Sequence, residues 1–145
     1  MAKQSDLDGA YMHAAMAHAR LSKAARSRVG ATLVTKHGVM IPGYNGTPAG
    51  TSNVCEDWVP NTITRDMVSV TKPEVLHAEL NCILKAAKEG IAVAGSTVYV
   101  TLSPCIQCAA MMVQLGISRV VYDEPYRKTD GIEYLKANGI RVEKY

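Results

Sequence analysis

Two short motifs in this 145-residue chain combine residue types that bind a metal and move a proton: His77-Ala78-Glu79 and Pro104-Cys105-Ile106-Gln107-Cys108. Together they offer one imidazole, two thiols and a carboxylate. A structural zinc site closes its shell with four protein ligands, whereas a catalytic one stops at three and keeps a position for water. Three ligands beside an acid that the metal does not need point to a hydrolytic centre: His77, Cys105 and Cys108 as ligands of Zn²⁺, Glu79 as general acid and base.

The chemistry constrains the elements that carry it. Cys105 and Cys108 are three apart and share a helix face, with Pro104 opening that helix. In the first turn, the dipole and the free N–H groups favour thiolate. In mid-helix, His77 and Glu79 would point about 200° apart at 3.6 residues per turn. They converge on one metal only at a helix N-terminus, so their helix has to begin near Leu76. A competing signal is Thr71-Lys72-Pro73-Glu74, which has the form of a capping box and would start the helix earlier. Taken singly, His77 reads as a core histidine, Glu79 as a solvated helix position and Cys105/Cys108 as a redox pair; their joint placement favours zinc.

The remaining pattern supplies a frame. A helix is expected over Asp8–Lys23, a hairpin from Val29–Thr35 and Val39–Tyr44, a helix over His77–Lys88 ended by Gly90, and a strand over Thr97–Leu102. A helix from Pro104 to Leu115, a strand over Ser118–Tyr122, a helix over Thr129–Asn138 and a strand over Ile140–Val142 follow. The second half alternates strand and helix, which gives parallel pairing. The sum is an α/β fold, a three-layer α-β-α sandwich around a mixed five-stranded sheet, in one domain spanning 1–145. Residues Asn45–Leu76 show no clear period. A stretch of that length is expected to be functional, or to hold a short helix near Asn61–Val68.

With 48% hydrophobic and 20% charged residues the composition is that of a globular protein. No apolar run reaches the roughly 20 residues of a membrane span, and Met1–Asp6 has no apolar leader core, so a cytoplasmic protein is expected. A net charge of +3 without a basic run argues against a polyanion and permits a small phosphorylated partner.

The motif H-x-E…P-C-x-x-C is the signature of zinc deaminases, and the chain resembles the cytidine/deoxycytidylate deaminase superfamily over almost its whole length. Gly43-Tyr44-Asn45-Gly46-Thr47-Pro48-Ala49-Gly50, His77-Ala78-Glu79-Leu80-Asn81 and Thr101-Leu102-Ser103-Pro104-Cys105 are similar to the deoxycytidylate (dCMP) branch. Ser103 stands where tRNA adenosine, guanine and riboflavin-pathway deaminases usually carry Glu. The resemblance implies hydrolysis of dCMP to dUMP and ammonia, feeding thymidylate synthesis, with one zinc, Glu79 as proton shuttle, the Ala78 N–H on O2 and the Ser103 carbonyl on the amino group. It also gives Asn45 to the sugar hydroxyl, although Asn-Gly is equally a turn signal. The basic, hydroxyl-rich cluster Ser22, Lys23, Arg26, Ser27 and Arg28 would take the phosphate, chiefly through Ser22, Lys23 and Arg26, or serve as a solvated helix end. Tyr122 would meet sugar or phosphate, or pack in the core.

Relatives of this branch are commonly homo-oligomers, often hexamers, activated by dCTP (with Mg²⁺) and inhibited by dTTP. Gly43, Tyr44, Glu56, Asp57, Lys85 and Lys88 are the residues expected near such an effector. A second, structural zinc is not expected, because Cys55, Cys82 and scattered histidines do not make four ligands. The alternative activity is deamination of tRNA adenosine or single-stranded DNA cytosine. It needs a basic groove with exposed aromatics, which a chain with no Phe and one Trp does not suggest. A non-catalytic zinc module would have no use for Glu79.

Overall fold

The computed structural model describes all residues, 1–145. Eleven elements follow in order: α1 (Gln4–Ala19), β1 (Gly30–Val34), β2 (Met40–Tyr44), β3 (Glu56–Pro60), β4 (Met67–Thr71), α2 (Ala78–Glu89), β5 (Thr97–Leu102), α3 (Ile106–Leu115), β6 (Arg119–Glu124), α4 (Asp130–Ala137) and β7 (Arg141–Lys144). Five strands form one sheet in the order β2-β1-β5-β6-β7. β1 runs antiparallel to β2 and β5, while β5, β6 and β7 are parallel, as the strand–helix alternation of the second half requires.

All five β1 residues are buried, so both faces of the strand are covered. On one face Ala31, Leu33, Val98, Val100 and Val120 pack with Cys82, Ile83 and Ala86 of α2, Ala109 and Met112 of α3, and Leu135 of α4. On the other, Val34, Tyr99 and Val121 pack under Met12 and Ala15 of α1. This is the expected three-layer arrangement around a mixed sheet. No helix is long and apolar enough to cross a membrane.

Three boundaries differ from the expectation. α1 begins at Gln4 and ends at Ala19, four residues earlier than Asp8–Lys23. Its alanine-rich sequence carries little periodicity to mark an end, and Ser22 leaves the helical path by donating to the Asn45 carbonyl at 2.8 Å. α3 begins at Ile106, so Pro104 lies outside it and Cys105 is the N-cap.

The third difference is in the long connection. No helix forms near Asn61–Val68; β3 and β4 make a separate antiparallel hairpin instead. Asn61 explains the outcome. Its Oδ1 accepts from the amides of Ile63 and Thr64 at 2.8 and 3.0 Å, a side-chain turn that competes with helix, and Arg65 beyond it takes a left-handed φ of 63°. The excursion is closed at its base by a bridge between Gly46 and Leu76, with mutual hydrogen bonds of 3.1 and 2.8 Å. Capping at Thr71 does not occur: Thr71 ends β4, and α2 starts one residue after His77.

Candidate active site

Helix α2 is capped by His77 and α3 by Cys105, so two helix N-termini converge where β5 ends. The carboxyl end of a parallel strand, with helix amides opening beside it, is where α/β sheets hold ligands. His77 Nδ1 lies 3.5 Å from Cys105 Sγ and 3.4 Å from Cys108 Sγ. A tetrahedral zinc with bonds of about 2.1 Å to nitrogen and about 2.3 Å to sulfur would set those atoms about 3.6 Å apart. The three donor atoms lie within 4.8 Å of one another, so the donor set could hold a zinc ion in both chemistry and spacing.

Electrostatics favour the ligand form at Cys105 alone: the hydrogen bond with Cys105 and burial push the Cys108 thiol well above the usual range. A hydrogen bond with Cys108, then one with His77, brings the Cys105 thiol down to about 3. The hydrogen bond with Cys105 raises the His77 ring above its ordinary range. Glu79, one residue into α2, is only 4% exposed. Burial pushes its carboxyl above the usual carboxylate range, against the pull of its own amide and of His77. A buried acid at such a centre is poised to exchange a proton.

These groups open into a cleft of about 570 Å³. Its floor is His77, Ala78, Glu79 and Cys105, and Ser103 and Leu102 form the β5 side. The Ser103 side chain accepts from the Tyr126 amide at 2.7 Å, and its own amide donates to the Glu124 carbonyl at 2.9 Å. One wall is the α1–β1 loop with Arg26, Ser27 and Val29. The β6–α4 loop contributes Tyr126 and Arg127, and the hairpin contributes Glu56, Val70 and Thr71.

Of the residues read as substrate-binding, Arg26, Asn45, Ala78 and Ser103 line this cleft. Both ends of the Asn45 amide brace the loop: Oδ1 accepts from the Val29 amide and Nδ2 donates to the Ser27 carbonyl, each at 2.8 Å. Ser22, Lys23 and Tyr122 do not line the cleft. Ser22 is buried, and its hydroxyl accepts from the Ala24 amide besides donating to Asn45. Lys23 faces a second cavity of about 330 Å³, and Tyr122 packs against the main core.

The six residues expected at an effector site are dispersed. Tyr44 and Lys85 line the second cavity, with Lys85 Nζ also donating to the Pro42 carbonyl. Gly43 is buried against α2, where a Cβ would stand 2.7 Å from the Ala78 carbonyl. Glu56 lines the main cleft, Asp57 pairs with Lys72 at 3.7 Å, and Lys88 is exposed near the end of α2. Ser27, from the basic and hydroxyl-rich cluster, also lines the cleft, and Tyr126 and Arg127 belong to it although no motif singled them out. The available signal was the polar run after β6, which follows a parallel strand just as the cysteine motif follows β5.

A family model described as the cytidine and deoxycytidylate deaminase zinc-binding region matches residues 5–124. The deoxycytidylate deaminase of Enterobacteria phage T4 is 34% identical over 139 residues, covering 74% of this chain and 72% of that protein. The human deoxycytidylate deaminase is 34% identical over 122 residues, covering 83% and 66%. Among solved structures, dCMP deaminase from cyanophage S-TIM5 in complex with dCMP and dUMP superposes with a TM-score of 0.84 at 36% identity, over 99% of this chain and 100% of that one. The family model spans both motifs that build the site, and with it the chain belongs to the cytidine and deoxycytidylate deaminase zinc-binding family.

Proposed function

We propose that this chain hydrolyses dCMP to dUMP and ammonia. The observation that carries the reading is the position of buried Glu79 beside a three-donor metal site, at the floor of a cleft walled by two arginines. Zinc held by His77, Cys105 and Cys108 supplies, when bound, an activated water for attack at an electron-poor carbon.

Glu79 manages the protons. It takes one from the attacking water and gives it to ring N3, then delivers the second to the amino nitrogen as the C4–N bond breaks. The balance is dCMP plus water to dUMP plus ammonia. The Ser103 carbonyl accepts no hydrogen bond within the chain and is free for the amino group. The Ala78 amide, in the first turn of α2 and without an intrahelical acceptor, is free for the ring carbonyl. Asn45, locked by its two bonds to the 27–29 segment, presents its remaining hydrogen-bonding capacity to the sugar. Arg26 and Arg127, from the α1–β1 and β6–α4 loops, both line the cleft and would take the phosphate by charge-assisted hydrogen bonds.

The same reading includes activation by dCTP with Mg²⁺, inhibition by dTTP, a hexameric assembly and a cytoplasmic location. The second cavity, with Lys23, Tyr44 and Lys85, is the place in this chain that suits an anionic effector. The test of the activity is ammonia release from dCMP, CMP, deoxycytidine and a tRNA anticodon stem, each with and without zinc. The expected outcome is zinc-dependent turnover of dCMP. No turnover of dCMP by zinc-loaded protein, or turnover of the tRNA stem alone, would overturn it. Adding dCTP or dTTP to the same assay tests the effector reading.

A further inference from the structure

The α1–β1 loop carries Arg26 and Ser27 into the cleft, yet residues 20–29 form no helix or strand. Its shape is held by three side chains from elsewhere in the chain or its own start. Ser22 Oγ accepts from the Ala24 amide, Asn45 bonds Ser27 and Val29, and Glu56 reaches across from β3. Oε1 of Glu56 accepts from two consecutive amides, Ala25 at 2.8 Å and Arg26 at 3.1 Å. Ser22 and Asn45 fix the two ends, and Glu56 fixes the middle at Arg26, which lines the cleft.

We propose that Glu56 is a positioning residue for recognition of the substrate's phosphate: its carboxylate clamps the Ala25 and Arg26 amides so that the Arg26 side chain is presented to the cleft. The inference rests on the reading of the substrate as a nucleotide. A negative charge beside a phosphate site is otherwise a liability, since like charges at close range repel. Its retention at the cleft edge is explained when the carboxylate is occupied by the loop's backbone. Two charge-assisted bonds to one oxygen hold a flexible segment more firmly than neutral ones would. β3 is suited to the task because it is paired to β4 along its length, Glu56 opposite Thr71, and Lys72 just beyond donates its amide to the Cys55 carbonyl at 2.8 Å. The hairpin thereby becomes the rigid support of a loop that has none of its own.

A different role for the same contact makes the opposite prediction. Two adjacent amides can form an anion nest, and a carboxylate seated there could be a stand-in that the phosphate displaces. Removing the stand-in would tighten substrate binding, whereas removing a clamp weakens it.

The experiment is steady-state kinetics of zinc-loaded wild type, Glu56→Ala, Glu56→Gln and Arg26→Ala with dCMP and with deoxycytidine. The expected result for Glu56→Ala is a KM for dCMP raised about tenfold with kcat within about twofold, and no change in kcat/KM for deoxycytidine. Glu56→Gln, which keeps an acceptor oxygen, recovers most of the KM. Should Glu56→Ala not fold, Glu56→Asp, which withdraws the carboxylate by one methylene, carries the same prediction with a smaller change. An unchanged or lowered KM for dCMP in Glu56→Ala, or an equal loss with deoxycytidine, overturns the clamp. If wild type prefers dCMP and Arg26→Ala abolishes that preference while Glu56→Ala does not, the clamp alone fails. If wild type turns over dCMP and deoxycytidine equally, the phosphate reading fails and takes the clamp with it.

Discussion

Gly131 abuts the peptide of Cys105 so closely that no side chain fits between them. A Cβ at position 131 would stand 2.1 Å from the Pro104 carbonyl oxygen and 2.9 Å from the Cys105 carbonyl carbon. Both are backbone atoms at the N-cap of α3, and they cannot swing aside as a side-chain end would. The first turn of α4 thus sets the position of Cys105, a proposed metal ligand. Gly131→Ala is expected to displace Cys105, cost about 1–3 kcal/mol in overpacking and lower zinc content well below one per chain. Metal analysis after gel filtration, together with a thermal melt, checks this; full zinc occupancy in the variant would show that the ligand does not depend on this contact.

Glu79→Gln separates proton transfer from metal binding. The carboxamide preserves size and leaves His77, Cys105 and Cys108 untouched, so zinc stays stoichiometric. Loss of the proton-transferring group is expected to reduce kcat by about 10²–10⁴. The measurement is turnover of dCMP alongside zinc content. Wild-type-like kcat in a zinc-loaded variant would remove Glu79 from its role.

The three-donor cluster of His77, Cys105 and Cys108 was legible in the sequence because it sits on elements whose ends are written locally. The requirement that His77 and Glu79 share a metal placed the start of α2 at its observed position against a rival capping box, since only an N-terminus brings the two side chains together. Gly90 and Gly116 marked the helix ends by their left-handed φ of 68° and 73°. Beyond the α1–β1 loop and Asn45, the cleft walls were not legible as such. Glu56, Tyr126 and Arg127 reach the site through loops and a hairpin whose placement depends on distant backbone contacts. The hairpin itself was hidden because its strands alternate weakly and expose Trp58 and Met67. Tyr122 illustrates the converse: one residue along β6 separates a side chain on the core face from one on the other face.

Arg127 is the cleft's second lining arginine besides Arg26, and it stacks over Tyr126 with its guanidinium carbon 5.9 Å from the ring centroid. On the proposed reading, Arg127→Ala raises KM for dCMP by about tenfold and leaves deoxycytidine unaffected. Parallel kinetics with the two substrates distinguish this from a general disturbance of the cleft, which would lower kcat/KM for both.

Thiol chemistry reports the metal site directly. Cys55 and Cys82 are buried away from reagents, and burial also pushes the Cys82 thiol up to about 12. Zinc masks Cys105 and Cys108 in the loaded protein. Treatment of native protein with a strong chelator is therefore expected to expose one reactive thiol, Cys105, and to abolish activity, with zinc restoring both states; Cys108 is buried, and its hydrogen bond with Cys105 and its burial push its thiol up. A disulfide-exchange reagent followed by peptide mapping should place the label on Cys105. Labelling of Cys82 in the folded protein would contradict its burial.

Arg119 joins three elements on the α1 face of the sheet and is only 6% exposed. Its two terminal nitrogens each lie 2.7 Å from one oxygen of Asp8 on α1, and it bonds Glu143 of β7 at 2.8 and 3.2 Å. Tyr99 of β5 adds a hydrogen bond to Asp8 at 2.7 Å. The Arg119 guanidinium holds the Asp8 carboxyl well below the usual carboxylate range, outweighing the effect of burial. A carboxyl whose folded value is depressed contributes stability that is present above the unfolded value, about 3.9, and is lost as pH falls toward the folded one. Asp8→Asn leaves Arg119 with Glu143 alone and is expected to cost about 3 kcal/mol at pH 7. Urea midpoints of wild type and variant should differ by a constant amount from pH 7 to pH 5. The gap should narrow as pH falls below about 4, because only wild type has an ionised Asp8 to lose. A gap that stays the same at pH 3 would mean that the fork between Asp8 and Arg119 acts through packing and not through charge.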